Sequence, residues 1–88
     1  MDYGLAGKVA IVTGAGGGIG NAIARQFIAE GCRVLGADLN PAAVTGLGTP
    51  DQVLGYEVDL STADGPGKAV EAAIDAFGQV DILVNNAA

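Results

Sequence analysis

The feature that most limits what this chain can become is its glycine run, Thr13-Gly14-Ala15-Gly16-Gly17-Gly18-Ile19-Gly20. On its near side stand Val9-Ala10-Ile11-Val12, four apolar residues in a row, as in a strand buried on both faces. On its far side the period becomes helical. Ile19, Ile23 and Phe27, flanked by Ala24 and Ile28, form one stripe, and Asn21, Arg25, Gln26 and Glu30 take the opposite side. Gly31 sits where a left-handed helix cap belongs. A strand-to-helix turn built of glycines lets the backbone approach a ligand closely. It also gathers unpaired N–H groups and the positive end of the helix dipole at one spot. No Ser, Thr, Asp or Asn stands just before Ile19 to cap those donors, so an anion such as a pyrophosphate suits the place. A flexible turn without a ligand is the bland alternative.

Spacing separates the kinds of phosphate-binding turn. A P-loop ends its glycine run in Lys followed by Ser or Thr, and this run has no Lys, which excludes a nucleoside triphosphatase of that type. The strict G-x-G-x-x-G pattern is also absent. Thr13, Gly14, Gly18 and Gly20 fit T-G-x-x-x-G-x-G, while Gly14, Gly17 and Gly20 fit G-x-x-G-x-x-G, so the glycines alone leave two readings open.

Beyond the first helix, residues 33–38 read as a second strand, and Asn40-Pro41 turns the chain. Residues 41–48 have room for only a short, weak helix before Gly46 and Gly48. Val53 to Asp59 reads as a third strand, with Leu54, Tyr56 and Val58 alternating with Gly55 and Glu57. Ser61 and Asp64 have capping-box spacing, although Gly65-Pro66-Gly67 interrupts the pattern. Val70, Ala73, Ile74 and Phe77 predict a helix over 68–77 ended by Gly78, and 81–85 form a fourth, apolar strand. Such alternation implies an α/β fold: a Rossmann-like, doubly wound parallel sheet, here four strands in the order 3-2-1-4 within one unit covering 1–88. The helix from Ile19 should lie on one face and the 68–77 helix on the other. The connections reverse direction beside the first strand, opening a crevice at the carboxyl ends of strands 1 and 4, where Thr13, Gly14, Asn85 and Asn86 would stand.

Composition narrows the function. Ten acidic against four basic residues give a net charge of −6, which argues against nucleic acid or an anionic membrane surface as partner. With no His and a single Cys, Cys32, there is no internal disulfide, no His/Cys zinc site and no Ser-His or Cys-His nucleophile pair. The longest apolar runs are far short of the ~20 residues that span a bilayer, and the start lacks a signal-peptide pattern. These features predict a soluble, cytoplasmic protein.

Two acids mark the predicted crevice. Asp38 ends the second strand, where a carboxylate can accept hydrogen bonds from the adenosine ribose of NAD; capping the Asn40-Pro41 turn is its plainer role. Asp59-Leu60 ends the third strand at the same level, facing either an adenine or simply solvent ahead of the next helix. Asn85 and Asn86 put amides past the fourth strand, able to tie strands together or touch a ligand.

Taken together, T-G-A-G-G-G-I-G, strand-end Asp38, Asp59-Leu60 and Asn85-Asn86-Ala87 resemble, in order and spacing, the N-terminal part of the short-chain dehydrogenase/reductase family. The opening Leu5-Ala6-Gly7-Lys8-Val9-Ala10-Ile11-Val12 is similar to the family as well, and Ala88 departs from the Gly of its N-N-A-G motif. The resemblance implies a nicotinamide dinucleotide cofactor, NAD, with Gly14, Gly17, Gly18, Ile19 and Gly20 at the pyrophosphate. It further implies Asp38 and Leu39 at the adenosine ribose, Asp59 and Leu60 at the adenine, and Asn86 and Ala87 beside the nicotinamide ribose. The substrate class it implies is a small alcohol or ketone, and the assembly a homo-oligomer.

The family's catalytic Ser, and its Tyr with a Lys four residues later, follow the N-N-A-G motif. The tyrosines here do not replace them: Gly7 stands four residues after Tyr3 and Leu60 four after Tyr56. No catalytic residue is therefore assigned, and the chain reads as the cofactor-binding part of an oxidoreductase. A non-catalytic dinucleotide-binding module is the alternative. A methyltransferase binding S-adenosylmethionine is a more distant one, since those usually carry an acid before the glycines, where Thr13 stands.

Overall fold

The all-apolar run near the start becomes the central strand because nothing in it needs water. The computed structural model describes residues 4–86. In it β1 (Val9–Thr13) is buried along its whole length. It pairs in parallel with β2 (Arg33–Asp38) on one side and β4 (Ile82–Val84) on the other, and β3 (Val53–Glu57) pairs with β2. The order β3-β2-β1-β4 is the predicted one. Between the strands run α1 (Gly18–Ala29), the single turn α2 (Ala42–Thr45) and α3 (Gly65–Phe77).

Two cores follow from the period-2 alternation of the strands. Ala10, Val12, Val34 and Val53 face α1 and α2, meeting Ala24 and Val44. Ile11, Leu35, Ala37 and Val58 face α3, meeting Ala69 and Ala73. Each fully buried Val, Leu or Ile contributes roughly 1.5–3 kcal/mol. A pair of glycines in register, Gly36 and Gly55, opens the α1 face for α2. A Cβ at Gly36 would lie 2.6 Å from Val44 Cγ1, and one at Gly55 2.6 Å from Thr45 Cγ2.

Several expectations need correction. Helix α3 begins at Gly65 rather than at 68, because Pro66 in the first turn loses nothing by lacking an N–H. A Cβ at Gly65 would overlap the Asp59 carbonyl, so glycine belongs there. The capping box does not form: Asp64 is the N-cap but makes no side-chain cap bond. Its carboxylate instead pairs with Lys68 at 3.2 Å. Strand β3 ends at Glu57, although the Val58 N–H extends the ladder by donating to the Asp38 carbonyl at 3.0 Å. Strand β4 is also shorter than predicted, because the Asp81 side chain, accepting the Val9 N–H at 2.9 Å, takes over at its start. Ile19 does not join the core stripe: it is 73% exposed, on the first turn of α1. Ile74, at 49%, likewise lies outside the buried face of α3 made by Ala69 and Ala73.

Candidate cofactor site

Parallel pairing brings the carboxyl ends of all four strands to one edge, and the glycine turn closes that edge over β1. The Gly14 N–H donates to the Ala37 carbonyl at 2.8 Å, tying the turn to β2, and the Gly17 N–H donates to the Gly14 carbonyl at 3.2 Å. Gly14 has φ +66°, a conformation that glycine adopts without strain. Helix α1 then starts with Gly17 as N-cap and no side-chain cap. The N–H groups of Gly18, Ile19 and Gly20 belong to a first turn that has no intrahelical acceptors, and no acid stands in that turn. Gly17 and Gly18 are exposed and Gly20 is buried. A Cβ at Gly20 would overlap the Gly14 carbonyl and lie 2.9 Å from Asn86 Nδ2. The turn is thus pressed against the strand end with its donors pointing outward, a cradle that fits a pyrophosphate.

Asp38 ends β2 beside this cradle. Its Oδ2 accepts the Gly16 N–H at 3.1 Å and its Oδ1 accepts the Asn40 N–H at 2.9 Å. The turn-capping role is therefore real, and the same carboxylate also grips the glycine turn. Leu39 follows it, 67% exposed. At the end of β3, Asp59 Oδ1 accepts both the Ser61 N–H at 2.9 Å and the Ser61 hydroxyl at 2.6 Å, which hold its carboxyl below the usual carboxylate range. Leu60 is half-buried and packs on the α3 core.

Between β1 and β4 the polar hub is Thr13. Its hydroxyl lies 3.2 Å from the Val84 carbonyl and 3.3 Å from Asn85 Oδ1, and it accepts the Asn86 N–H at 2.8 Å. The side chain of Asn85 therefore ties strands, as does the backbone of Asn86. Ala87 lies outside the described residues.

The structure thus gathers Gly14, Gly17, Gly18, Ile19, Gly20, Asp38 and Leu39 around one turn, with Asn86 beside Gly20. Asp59 and Leu60 stand at the next strand end. Sequence reasoning missed Gly16, whose N–H reaches Asp38, although it lies inside the run that was singled out. It also missed Thr13 as a hub, a role that depends on partners more than seventy residues away. Tyr56 is half-buried in the α3-side core, away from any chemistry. Among the described residues no cluster of potential metal ligands occurs, and no helix is long and apolar enough to cross a membrane. A cavity of about 580 Å³ lies not at the glycine turn but on the α3 face, between Pro66, Val70 and Leu83.

An open parallel sheet with an uncapped glycine turn at its topological switch point defines the dinucleotide-binding class of α/β proteins. A profile of the short chain dehydrogenase family matches residues 8–88. Cis-1,2-dihydrobenzene-1,2-diol dehydrogenase from Pseudomonas putida is 41% identical over 85 residues, covering 94% of this chain and 31% of its own length. Among the solved structures that are similar are two with a nicotinamide dinucleotide. One is 3-ketoacyl-(acyl-carrier-protein) reductase from Brucella melitensis complexed with NADH (TM-score 0.79, 40% identity, 90% of this chain and 34% of that one). The other is the C-domain of a bacterial malonyl-CoA reductase with NADP (TM-score 0.84, 31% identity, 96% of this chain and 15% of that one). The chain belongs to the short chain dehydrogenase family. It spans about a third of the length of the curated relatives it matches.

Proposed function

We propose that residues 1–88 are the coenzyme-binding part of an NAD-dependent oxidoreductase that moves hydride between nicotinamide and a small alcohol or ketone. The observation that carries the choice of NAD is the Asp38 carboxylate, held at the end of β2 by the Gly16 and Asn40 N–H groups. Gly14, Gly17, Gly18, Ile19 and Gly20 hold the pyrophosphate against the start of α1. Asp38 accepts the ribose hydroxyls beside Leu39, Asp59 and Leu60 flank the adenine, and Asn86 and Ala87 stand near the nicotinamide ribose. When bound, the coenzyme supplies the hydride carrier. The residues of this chain bind and orient it, and none of them is assigned to proton transfer. The full protein works as a homo-oligomer in the cytoplasm, where a free thiol such as Cys32 persists; burial pushes that thiol up in pKa, which keeps it inert.

The 2′-phosphate of NADP would meet Asp38 with like charge. Two unit charges ~4 Å apart at an effective dielectric of ~20 repel by up to ~4 kcal/mol, and solvent lowers that figure. A net penalty of only ~1.4 kcal/mol is tenfold in affinity. Neither Gly17 nor Leu39 offers a cation in compensation. The test is a pair of dissociation constants, for NADH and NADPH, on the protein, on Asp38→Ala and on Asp38→Ala/Leu39→Arg. NADH should bind about tenfold tighter or more to the unsubstituted protein. The single substitution should narrow the preference and the double one reverse it. Equal or tighter binding of NADPH by the unsubstituted protein would overturn the reading.

A further inference from the structure

We infer that Gly16 is a positioning residue for coenzyme choice: its N–H, and its lack of a side chain, set where the Asp38 carboxylate stands. The inference rests on the reading of Asp38 proposed above. A carboxylate has about four lone-pair sites. The Gly16 N–H at 3.1 Å takes one on Oδ2 and the Asn40 N–H at 2.9 Å takes one on Oδ1. With one bond on each oxygen the carboxylate plane is fixed, and about two acceptor directions remain, the number that a vicinal diol can fill. A carboxylate without these bonds would turn toward water. It would then lose its aim at the ribose hydroxyls and much of its repulsion of a 2′-phosphate.

The close approach depends on glycine. A Cβ at position 16 would lie 2.5 Å from the Asn40 carbonyl oxygen and 3.0 Å from Asp38 Cγ. The first obstacle is backbone, so no rotamer change relieves it. Nor is the Asn40 segment loose enough to retreat at no cost. Its far end is pinned where Asn21 Nδ2 donates to the Ala43 carbonyl at 3.1 Å and where Val44 is fully buried. A side chain at 16 must therefore part the glycine turn from the Asp38–Asn40 turn and break the Gly16–Asp38 bond. Gly17 and Gly18 of the run act differently: Gly17 has only the Gly14 oxygen within reach of a Cβ, at 3.6 Å, and Gly18 has nothing within 4 Å.

The experiment measures NADH and NADPH dissociation constants for the unsubstituted protein, Gly16→Ala, Asp38→Ala and the double variant. Gly16→Ala should weaken NADH about fivefold while changing NADPH less than about twofold, so the ratio of the two constants narrows. In the Asp38→Ala background the same substitution should change the ratio by less than about twofold, because no carboxylate remains to be positioned. An unchanged ratio in Gly16→Ala, with a narrowed one in Asp38→Ala, overturns the role of Gly16 and leaves the NAD reading standing. If Asp38→Ala itself leaves the ratio unchanged, the NAD reading fails and this inference fails with it. An effect of Gly16→Ala that persists without Asp38 also overturns it, since Gly16 would then act on the coenzyme directly. Should Gly16→Ala not fold, amide exchange decides. The Gly16 N–H should exchange about tenfold faster or more in Asp38→Ala than in the unsubstituted protein, and equal rates overturn the inference.

Discussion

At the scale of single residues, three aspartates at strand ends, Asp38, Asp59 and Asp81, work as hydrogen-bond acceptors for backbone. Asp81 accepts the Val9 N–H at 2.9 Å and Gln79 Nε2 at 2.7 Å, and so ties the start of β1 to the start of β4. Those bonds, the Val9 N–H first, hold its carboxyl below the usual carboxylate range, with Lys8 adding a smaller charge effect. Asp59 is lowered by its two Ser61 bonds, and Asp64 by its contact with Lys68. In each case the folded pKa lies below the unfolded one, near ~3.9. The unfolded chain therefore binds more protons across that window, and stability rises with pH through it. The contribution is fully present above ~4 and is lost as pH falls through the folded value. In Asp81→Asn the fall in the urea midpoint between pH 6 and pH 3 should be smaller than in the unsubstituted protein. Identical falls would show that Asp81 is not coupled to folding as the bonds imply.

At the scale of elements, a glycine's meaning depends on what stands opposite it, and that is where a linear reading runs out. The glycine turn, the strand order and the two helix faces were legible because each rests on local periods and on an alternation that leaves a parallel sheet few topologies. The pairing of Gly36 with Gly55 was not, because only the β2–β3 register brings the two together beneath α2. Nor was the exposure of Ile19. A helical stripe is a projection that assumes sheet beneath every turn, and the first turn of α1 projects past the end of β1. Gly16 was in view, but its partner Asp38 is twenty-two residues on. Two substitutions separate crowded from open glycines. Gly20→Ala drives a methyl into the Gly14 carbonyl and should cost about 1–3 kcal/mol while weakening coenzyme binding. Gly67→Ala, within α3 and with nothing within 4 Å, should stabilise by about 0.5–1 kcal/mol through better helix propensity. Urea midpoints measure both, and a neutral Gly20→Ala would mean that the turn can rise off the strand freely.

At the scale of the whole molecule, the two edges of the sheet differ in character among the described residues. The edge strand β3 has Gly55 and the exposed Glu57, which discourage further pairing. The other edge, β4, is Ile82-Leu83-Val84, with Leu83 60% exposed, and among the described residues it pairs only with β1. Beside it lies the cavity of about 580 Å³, lined in part by Ile11, Pro66, Ala69, Val70 and Leu83. An apolar parallel edge offering a row of unpaired N–H and C=O groups is a template for another strand, and an apolar groove alongside adds a burial term for whatever docks there. The 88-residue chain by itself should therefore associate, and its association should depend on Leu83. Burying a leucine side chain is worth roughly 1.5–3 kcal/mol, and in a symmetric pair the term enters twice, which is enough to move a dissociation constant by a hundredfold or more. Leu83→Lys replaces that term with a charge that must stay in water, the device natural sheets use to blunt an edge. Sedimentation velocity on the chain at tens of micromolar should show species larger than monomer, and Leu83→Lys should shift the distribution toward monomer. Hydrogen exchange supplies the local reading, with amides of residues 82–84 protected less at low concentration than at high. A chain that runs as a monomer at every concentration, with those three amides firmly protected, would show that β4 is closed by means other than a partner strand.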